Sequence, residues 1–256
     1  MRLLSVITLA LILSFHVKGS ASILKVMIDP GHGGSDSGAS RGKVKESDIS
    51  LKISQELKRL LENDVRFQAA LTRDQDKTLT LTERVKTAEE FQAEILLSIH
   101  ANSSPDPRAK GFEVYFQNYL PPDEESLFLA SSENLIQKTH QEEIQNSSDP
   151  TKKNDVLSII EDLKRQDRMQ KSYKLSREIL QYMDAKEFTS LRQAPFYVVS
   201  KSNMPAVLIE VGYVSHQIES EKLIKKETQQ QIAQKIYLGL LQYKEMIDNS
   251  QKLGLN

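Results

Sequence analysis

A short apolar run that stops at a glycine-rich loop constrains the fold of this chain more than any other feature. Residues 23–28 are apolar except for one lysine, and Asp-Pro-Gly-His-Gly-Gly follows at residues 29–34. A run of this length that contains β-branched residues and ends at Pro-Gly predicts a buried strand. Glycine allows sharp turns and close approach by other groups. We therefore expect His32 at the end of a strand, with space around it for partners.

Apolar runs and helical patterns alternate along much of the remaining chain. Further strands are predicted at residues 65–71, 95–99, 111–116, 196–199 and 206–211. Apolar residues recur at helical spacing at residues 49–61, 81–91 and 232–241. This alternation predicts an α/β fold with a mixed, largely parallel sheet of about six strands flanked by helices. A chain of 256 residues, 39% of them apolar, is long enough for one domain with a sizeable core.

The segment from about residue 117 to residue 189 differs in composition from the rest of the chain. It is polar and rich in charge, and helical patterns occur around residues 127–136, 155–163 and 173–180 without a convincing strand. We interpret it as a helical insertion before the last strands of a domain that covers residues 22–248. Residues 249–256 would form a C-terminal tail.

The N-terminus has the layout of a secretory signal peptide. Arg2 precedes an apolar run at residues 3–15, and small residues follow at 19–22, which predicts a signal peptide over residues 1–21. A retained N-terminal anchor is the alternative, although the run is short for a transmembrane span. We expect an exported protein without stable membrane insertion. The periplasm is the first expectation for its location, and an extracellular or wall-associated location is the alternative.

Composition removes several classes of partner and site. The chain has no cysteine, which excludes disulfides and thiolate metal ligands. Its formal net charge of −1 gives no indication of nucleic acid as a partner. Metal ligands must therefore come from histidine and carboxylate side chains.

Four such side chains follow or begin predicted elements in a way that brings them together. His32, His100 and Glu210 lie at the ends of predicted strands, and Glu46 begins the first helix. In open α/β sheets, ligands bind beyond the carboxyl ends of the strands. Two imidazoles and one carboxylate bind zinc and leave a fourth position for water, which the metal activates. We predict His32, Glu46 and His100 as zinc ligands and Glu210 as the group that takes the proton from water.

Each of these residues also has an ordinary interpretation when it is taken alone. His32 could hydrogen-bond within its loop, and Glu46 could be a solvated acid that the helix dipole favours. Glu210 is the hardest to explain in this way, because a carboxylate buried in an apolar strand costs free energy without a partner.

Several separate motifs in order carry a resemblance to a known family. The chain resembles the zinc-dependent N-acetylmuramoyl-L-alanine amidases at residues 28–34, around Glu46, and at residues 71–73, 81–84, 98–102 and 205–213. The resemblance implies that His32, Glu46 and His100 bind zinc and that Glu210 is the catalytic acid/base. It also implies hydrolysis of the amide between N-acetylmuramic acid and L-alanine in peptidoglycan. A zinc peptidase that cuts within the stem peptide, or a non-catalytic peptidoglycan-binding protein, are the alternatives.

The insertion resembles the regulatory segment of division-site amidases. That resemblance implies occlusion of the zinc until an activator protein removes the segment, with a role in cell separation or wall remodelling. Glu133 is the candidate inhibitory metal contact, and a helix carrying Val156, Ile159 and Ile160 could dock the activator. In the alternative interpretation, these apolar residues simply pack the insertion onto the domain.

Overall fold

The structure is a computed structural model that describes residues 22–135, 155–183 and 189–254. The predicted signal peptide, residues 1–21, lies outside the described residues. None of the described helices combines the length and apolarity needed to cross a membrane.

A six-stranded sheet forms the centre of the domain, in the order β4-β1-β5-β8-β6-β7. Only β6 and β8 pair in antiparallel fashion within it, and the other neighbours are parallel. This confirms the predicted mixed, largely parallel sheet. A two-stranded hairpin, β2–β3, lies between β1 and α1. The strands are β1 Leu24–Pro30, β2 Ser40–Arg41, β3 Val44–Lys45, β4 Phe67–Leu71, β5 Ile95–Asn102, β6 Phe112–Phe116, β7 Thr189–Gln193 and β8 Ala206–Tyr213.

Helices cover both faces of the sheet, as strands buried on both sides require. Two buried apolar clusters lie between the helices and the sheet. One includes residues of α1, α4 and α7, and the other includes residues of α2 and α5. Helix α7 continues past residue 248, the predicted end of the domain. The helices are α1 Glu46–Glu62, α2 Leu81–Glu90, α3 Glu124–Leu135, α4 Asp155–Gln181, α5 Tyr197–Ser200, α6 Gln217–Leu223 and α7 Lys226–Lys252.

The strand predicted at residues 196–199 is wrong, because this segment forms the short helix α5. The edge strand is instead β7, which pairs with β6 and is made of Thr-Ser-Leu-Arg-Gln. A short apolar run does not distinguish a strand from a turn of buried helix. The backbone N–H of Tyr197 donates to Oδ1 of Asn134 at 2.8 Å rather than to a neighbouring strand.

The second half of α4 belongs to the core of the domain. Leu175 and Ile179 are fully buried against the face that α7 covers. A Cβ at Gly239 of α7 would lie 2.5 Å from Cα of Ile179, so the two backbones approach closely because residue 239 is glycine. The second half of α4 is therefore packed onto the domain, although the packing alternative was stated for Val156, Ile159 and Ile160 in the first half. Ile159 and Ile160 in the first half are exposed, and the side chain of Val156 is outside the described residues.

Candidate metal centre

The loop after β1 is held in an unusual conformation by two buried arginines. His32 has φ 55°, in the left-handed region that non-glycine residues rarely occupy. Nη2 of Arg73 donates to the carbonyl oxygen of Gly31 at 2.7 Å, and Nη2 of Arg84 donates to that of His32 at 2.7 Å. Asp29 accepts from Nη1 of Arg84 at 2.7 Å. Burial opposes ionisation of Asp29, but the Arg84 charge and hydrogen bonds lower its pKa below the usual value.

Three predicted ligands meet at the carboxyl ends of β1 and β5. Nε2 of His32 lies 3.0 Å from Oε1 of Glu46, and Nδ1 of His100 lies 2.9 Å from the same oxygen. One ligand atom from each residue falls within 4.8 Å of the others, and all three residues are buried. Burial opposes ionisation of Glu46, but His32 and His100 lower the pKa of its carboxyl.

These donors fit a divalent zinc ion. Nε2 of His32 is buried and lies 3.0 Å from Oε1 of Glu46, but it forms no hydrogen bond of acceptable geometry among the described residues, an arrangement that suits a metal shared by the two side chains. Burial alone would lower the pKa of His32, whereas the charges of Glu46 and the hydrogen bond to Asp36 raise it well above the usual value. The negative charges around His32 favour a bound cation. Two imidazoles with one carboxylate are a common zinc ligand set.

Two glycines make room for the ligands. A Cβ at Gly31 would lie 2.4 Å from Cε1 of His100, inside the space of the ring. At Gly38, which has φ +63°, a Cβ would lie 2.5 Å from Oε2 of Glu46 and 2.6 Å from Cδ2 of His32. Both positions therefore require glycine for the ligand side chains to reach one point.

Asp36 orients His32 and was not predicted from the sequence. Nδ1 of His32 donates to Oδ2 of Asp36 at 2.8 Å, which leaves Nε2 directed toward Glu46 and His100. A histidine that binds a metal usually donates its other ring N–H to such a carboxylate, which fixes the tautomer. The spacing of four residues within one glycine-rich loop was the available signal.

We expect Asp36→Asn to weaken zinc binding by about tenfold, because partners of this kind are typically worth tenfold or more in metal affinity. Competition with a chromophoric chelator measures the change. Asp48→Asn, an exposed acid in the first turn of α1, is the matched control and should bind zinc like the parent chain. Equal affinities of the two variants would show that Asp36 does not position His32.

Glu210 is buried on β8, where it is paired in register with His100 on β5. Its Oε2 has no hydrogen-bond partner among the described residues. Burial raises the pKa of this carboxyl well above its usual range, and the negative charges of Glu46, Glu133 and Glu113 raise it further. A carboxylate with this environment is poised to hold or release a proton.

A further buried carboxylate, Glu113 on β6, is paired in register with Glu210 and was not predicted from the sequence. Both carboxylate oxygens of Glu113 accept hydrogen bonds, whereas Oε2 of Glu210 has no partner among the described residues. Oε2 accepts from Nδ2 of Asn102 and from the hydroxyls of Tyr115 and Tyr213 at 2.9–3.0 Å. Oε1 accepts from Oγ of Ser190 at 3.0 Å and lies 3.1 Å from Nε of Arg192. Apart from Tyr115 on the same strand, its partners lie on three other strands, β5, β7 and β8, so Glu113 connects the strands of this half of the sheet.

Glu113→Gln should lower the free energy of unfolding by about 2 kcal/mol, because an amide nitrogen would face donors that now bond to a carboxylate. Urea denaturation of the intact chain measures this. Glu89→Gln on α2 is exposed and should change the free energy by less than about 0.5 kcal/mol. If Glu113→Gln were equally neutral, the network would not contribute to stability.

Glu133, near the end of α3, covers the three ligands. Its Oε2 lies 3.3 Å from Nε2 of His32 and 3.7 Å from Nδ1 of His100. Burial raises the pKa of its carboxyl, and the neighbouring Glu46 adds to this. The cavity that remains beside Glu133, His32 and His100 measures about 20 Å³, which is close to the size of one water molecule.

The next residue holds α3 in this position. Nδ2 of Asn134 donates to the carbonyl oxygen of Pro195 at 3.1 Å, while its Oδ1 accepts from the backbone N–H of Tyr197 at 2.8 Å. Arg192 pairs with Glu125 at 2.6 Å on the same helix. The polar contacts of Glu125, which precedes Glu133 on α3, and of Asn134, which follows it, therefore hold Glu133 over the ligands.

Known proteins match nearly the whole domain. Residues 26–242 match the Amidase_3 family, N-acetylmuramoyl-L-alanine amidase. The chain belongs to the N-acetylmuramoyl-L-alanine amidase family. A relative in Buchnera aphidicola named for this activity is 33% identical over 236 residues, which cover 86% of this chain and 94% of that protein. AmiB of Haemophilus influenzae is 33% identical, and the match covers 87% of this chain and 52% of AmiB.

The solved structure of the amidase AmiC2 of Nostoc punctiforme superimposes with a TM-score of 0.60 at 32% identity, covering 87% of this chain and 97% of AmiC2. The predicted amidase family, fold class and enzyme class are thereby confirmed. This amidase is a hydrolase of peptidoglycan, a cell-wall polymer. The alternative of a non-catalytic binding protein is set aside.

Proposed function

We propose that this amidase uses zinc held by His32, Glu46 and His100 to cleave the bond between N-acetylmuramic acid and L-alanine. The observation that carries the proposal is the convergence of three buried side chains, His32, Glu46 and His100, whose ligand atoms lie within 4.8 Å of one another. His32 follows β1 and His100 lies on the neighbouring parallel strand β5, while Glu210 is paired in register with His100 on β8. Substrates of α/β proteins bind at this end of the strands. Zinc in this position would polarise the substrate carbonyl and make a water molecule a better nucleophile.

Glu210 supplies the proton transfers in this proposal. Its carboxylate accepts a proton from the attacking water as the C–O bond forms. It then donates that proton to the nitrogen of L-alanine as the C–N bond breaks, so the leaving group departs as a neutral amine. The raised pKa of Glu210 suits this exchange, because a carboxyl that titrates closer to neutral pH can both accept and donate the proton.

We further propose that Glu133 keeps the enzyme inactive until an activator displaces α3. The support is its 3.3 Å approach to Nε2 of His32 and the cavity of about 20 Å³ that remains, which has no room for a sugar–peptide substrate. Ile159, Ile160 and Leu163 on α4 are exposed and suit a protein groove that accepts an apolar helix face. An exported, periplasmic activity in cell separation or wall remodelling is part of the same proposal.

Zinc content and product masses test the chemistry. We expect about one zinc per chain by elemental analysis, and digestion of purified sacculi by the Glu133→Ala variant should release stem peptides with a free L-alanine amino terminus. Products cut within the stem, with L-alanine still joined to the sugar, would replace the amidase proposal by the zinc peptidase alternative.

A further inference from the structure

A second cavity lies at the opposite edge of the sheet from the metal centre. Met204 and Ser202, in the loop before β8, line it together with Arg168 of α4. It measures about 280 Å³, which is the size of a small ligand or of the end group of a larger one. The zinc ligands lie at the carboxyl ends of β1 and β5, whereas this cavity lies where β8 begins.

The charged groups of this cavity are all positive. Arg165 and Arg168 project from the same face of α4, three residues apart, and Lys201 lies on the loop that follows α5. Among the described residues, none of the three forms an ion pair, and no carboxylate lines the cavity. The Arg165 guanidinium lies 5.1 Å from the ring centre of Tyr119, a contact that does not neutralise its charge. The whole chain has a formal net charge of −1, so this concentration of cations is local.

A buried hydroxyl in the cavity wall also has no partner. Ser202 is 5% exposed, and its Oγ has no hydrogen-bond partner among the described residues. Ser172, which also lines the cavity, differs because its Oγ donates to the carbonyl oxygen of Arg168 and accepts from the N–H of Ala206. A buried hydroxyl without a hydrogen-bond partner is unfavourable, because it has lost its bonds to water. A water molecule would satisfy Ser202 but would leave the three cations uncompensated.

We propose that this cavity binds an oxyanion, a phosphate or carboxylate group, between Arg165, Arg168 and Lys201, and that the Ser202 hydroxyl, buried in the cavity wall, rotates to donate to it. Guanidinium groups suit both anions because their parallel N–H donors match two oxygens at once. The bound group would join the middle of α4 to the loop before β8. The site does not depend on the zinc chemistry, because none of its residues contacts the metal ligands.

Titrations of the intact chain at constant ionic strength test the site with two probes. Inorganic phosphate tests a phosphate ligand, and N-acetylalanine tests a carboxylate ligand, with the uncharged N-acetylalaninamide as its match. Saturable chemical-shift changes at the amides of Lys201 and Ser202 are the readout, because phosphate at the zinc would perturb His32 and His100 instead. We expect at least one anion to bind there and N-acetylalaninamide to produce no change.

Two arginine variants separate a built site from general attraction of anions. Arg168→Gln should weaken binding about tenfold, equivalent to about 1.4 kcal/mol. Arg177→Gln, an exposed arginine on α4 outside the cavity, changes the net charge equally and should bind like the parent chain. Ser202→Ala should weaken binding several-fold without loss of fold. The proposal is overturned if neither anion produces saturable shifts, or if both arginine variants weaken binding to the same extent.

Discussion

Glu210→Gln should reduce amidase turnover by about a thousandfold, within the range that a positioned acid/base supplies. The amide has nearly the same size as the carboxyl but can neither accept the proton from water nor donate it to the leaving nitrogen. Zinc content should not change, because Glu210 is outside the ligand set. Dye release from labelled sacculi measures turnover, and elemental analysis measures zinc.

The comparison is best made in a Glu133→Ala background, where the proposed occlusion does not limit the rate. Glu227→Gln on α7, an exposed glutamate, is the matched control and should keep full activity. The free energy of unfolding should not fall in Glu210→Gln, because the replacement removes a buried carboxyl that lacks a partner. Turnover close to that of the control would exclude Glu210 as the acid/base. Loss of zinc would instead show that Glu210 supports the ligands.

Glu133→Ala should raise the basal turnover of the intact chain by about a hundredfold, which corresponds to an occlusion free energy of about 2.8 kcal/mol. The reason is geometric, since Oε2 of Glu133 lies 3.3 Å from Nε2 of His32, in the space that substrate and water must enter. The same sacculus assay measures the change. Glu124→Ala at the start of α3 is exposed and removes the same charge, so its turnover should match that of the parent chain.

Three outcomes distinguish occlusion from a general loosening of α3. A faster Glu133→Ala with an unchanged Glu124→Ala supports the occlusion. Equal acceleration of both variants would point to helix loosening, and an unchanged Glu133→Ala would remove the inhibitory role. Deletion of the whole insertion is a poorer test, because Leu175 and Ile179 of α4 are core residues and their loss would destabilise the domain.

A variant of Asn134 provides a second test of the proposed occlusion. Its amide bonds to Pro195 and Tyr197 on the catalytic domain without touching the metal ligands. If the position of Glu133 depends on these two hydrogen bonds, Asn134→Ala should also raise turnover, but to a smaller extent than Glu133→Ala. Such an order of effects would connect the position of α3 with the accessibility of the metal centre.

The sequence by itself determined the strands that carry the site and the residues at their ends. The runs that became β1, β5 and β8 are mostly apolar because both faces of these central strands are buried. A parallel sheet brings their carboxyl ends to one edge, so His32, His100 and Glu210 could be grouped before any coordinates. Glu46 was also predictable, since it begins the helix that follows the glycine loop.

Only the tertiary structure decided which polar residues support that site and where the remaining segments pack. In the sequence, Glu113 does not differ from any other acid in a strand. Its partners Asn102, Tyr213 and Arg192 lie on three other strands and are known only from the structure. The segment at 196–199 became a helix, and the second half of α4 entered the core, through contacts with residues distant in the chain. Hydrophobic periodicity reports the environment of a residue along its own element. The partners of a buried polar group depend on how several elements meet, and that is set by packing in three dimensions.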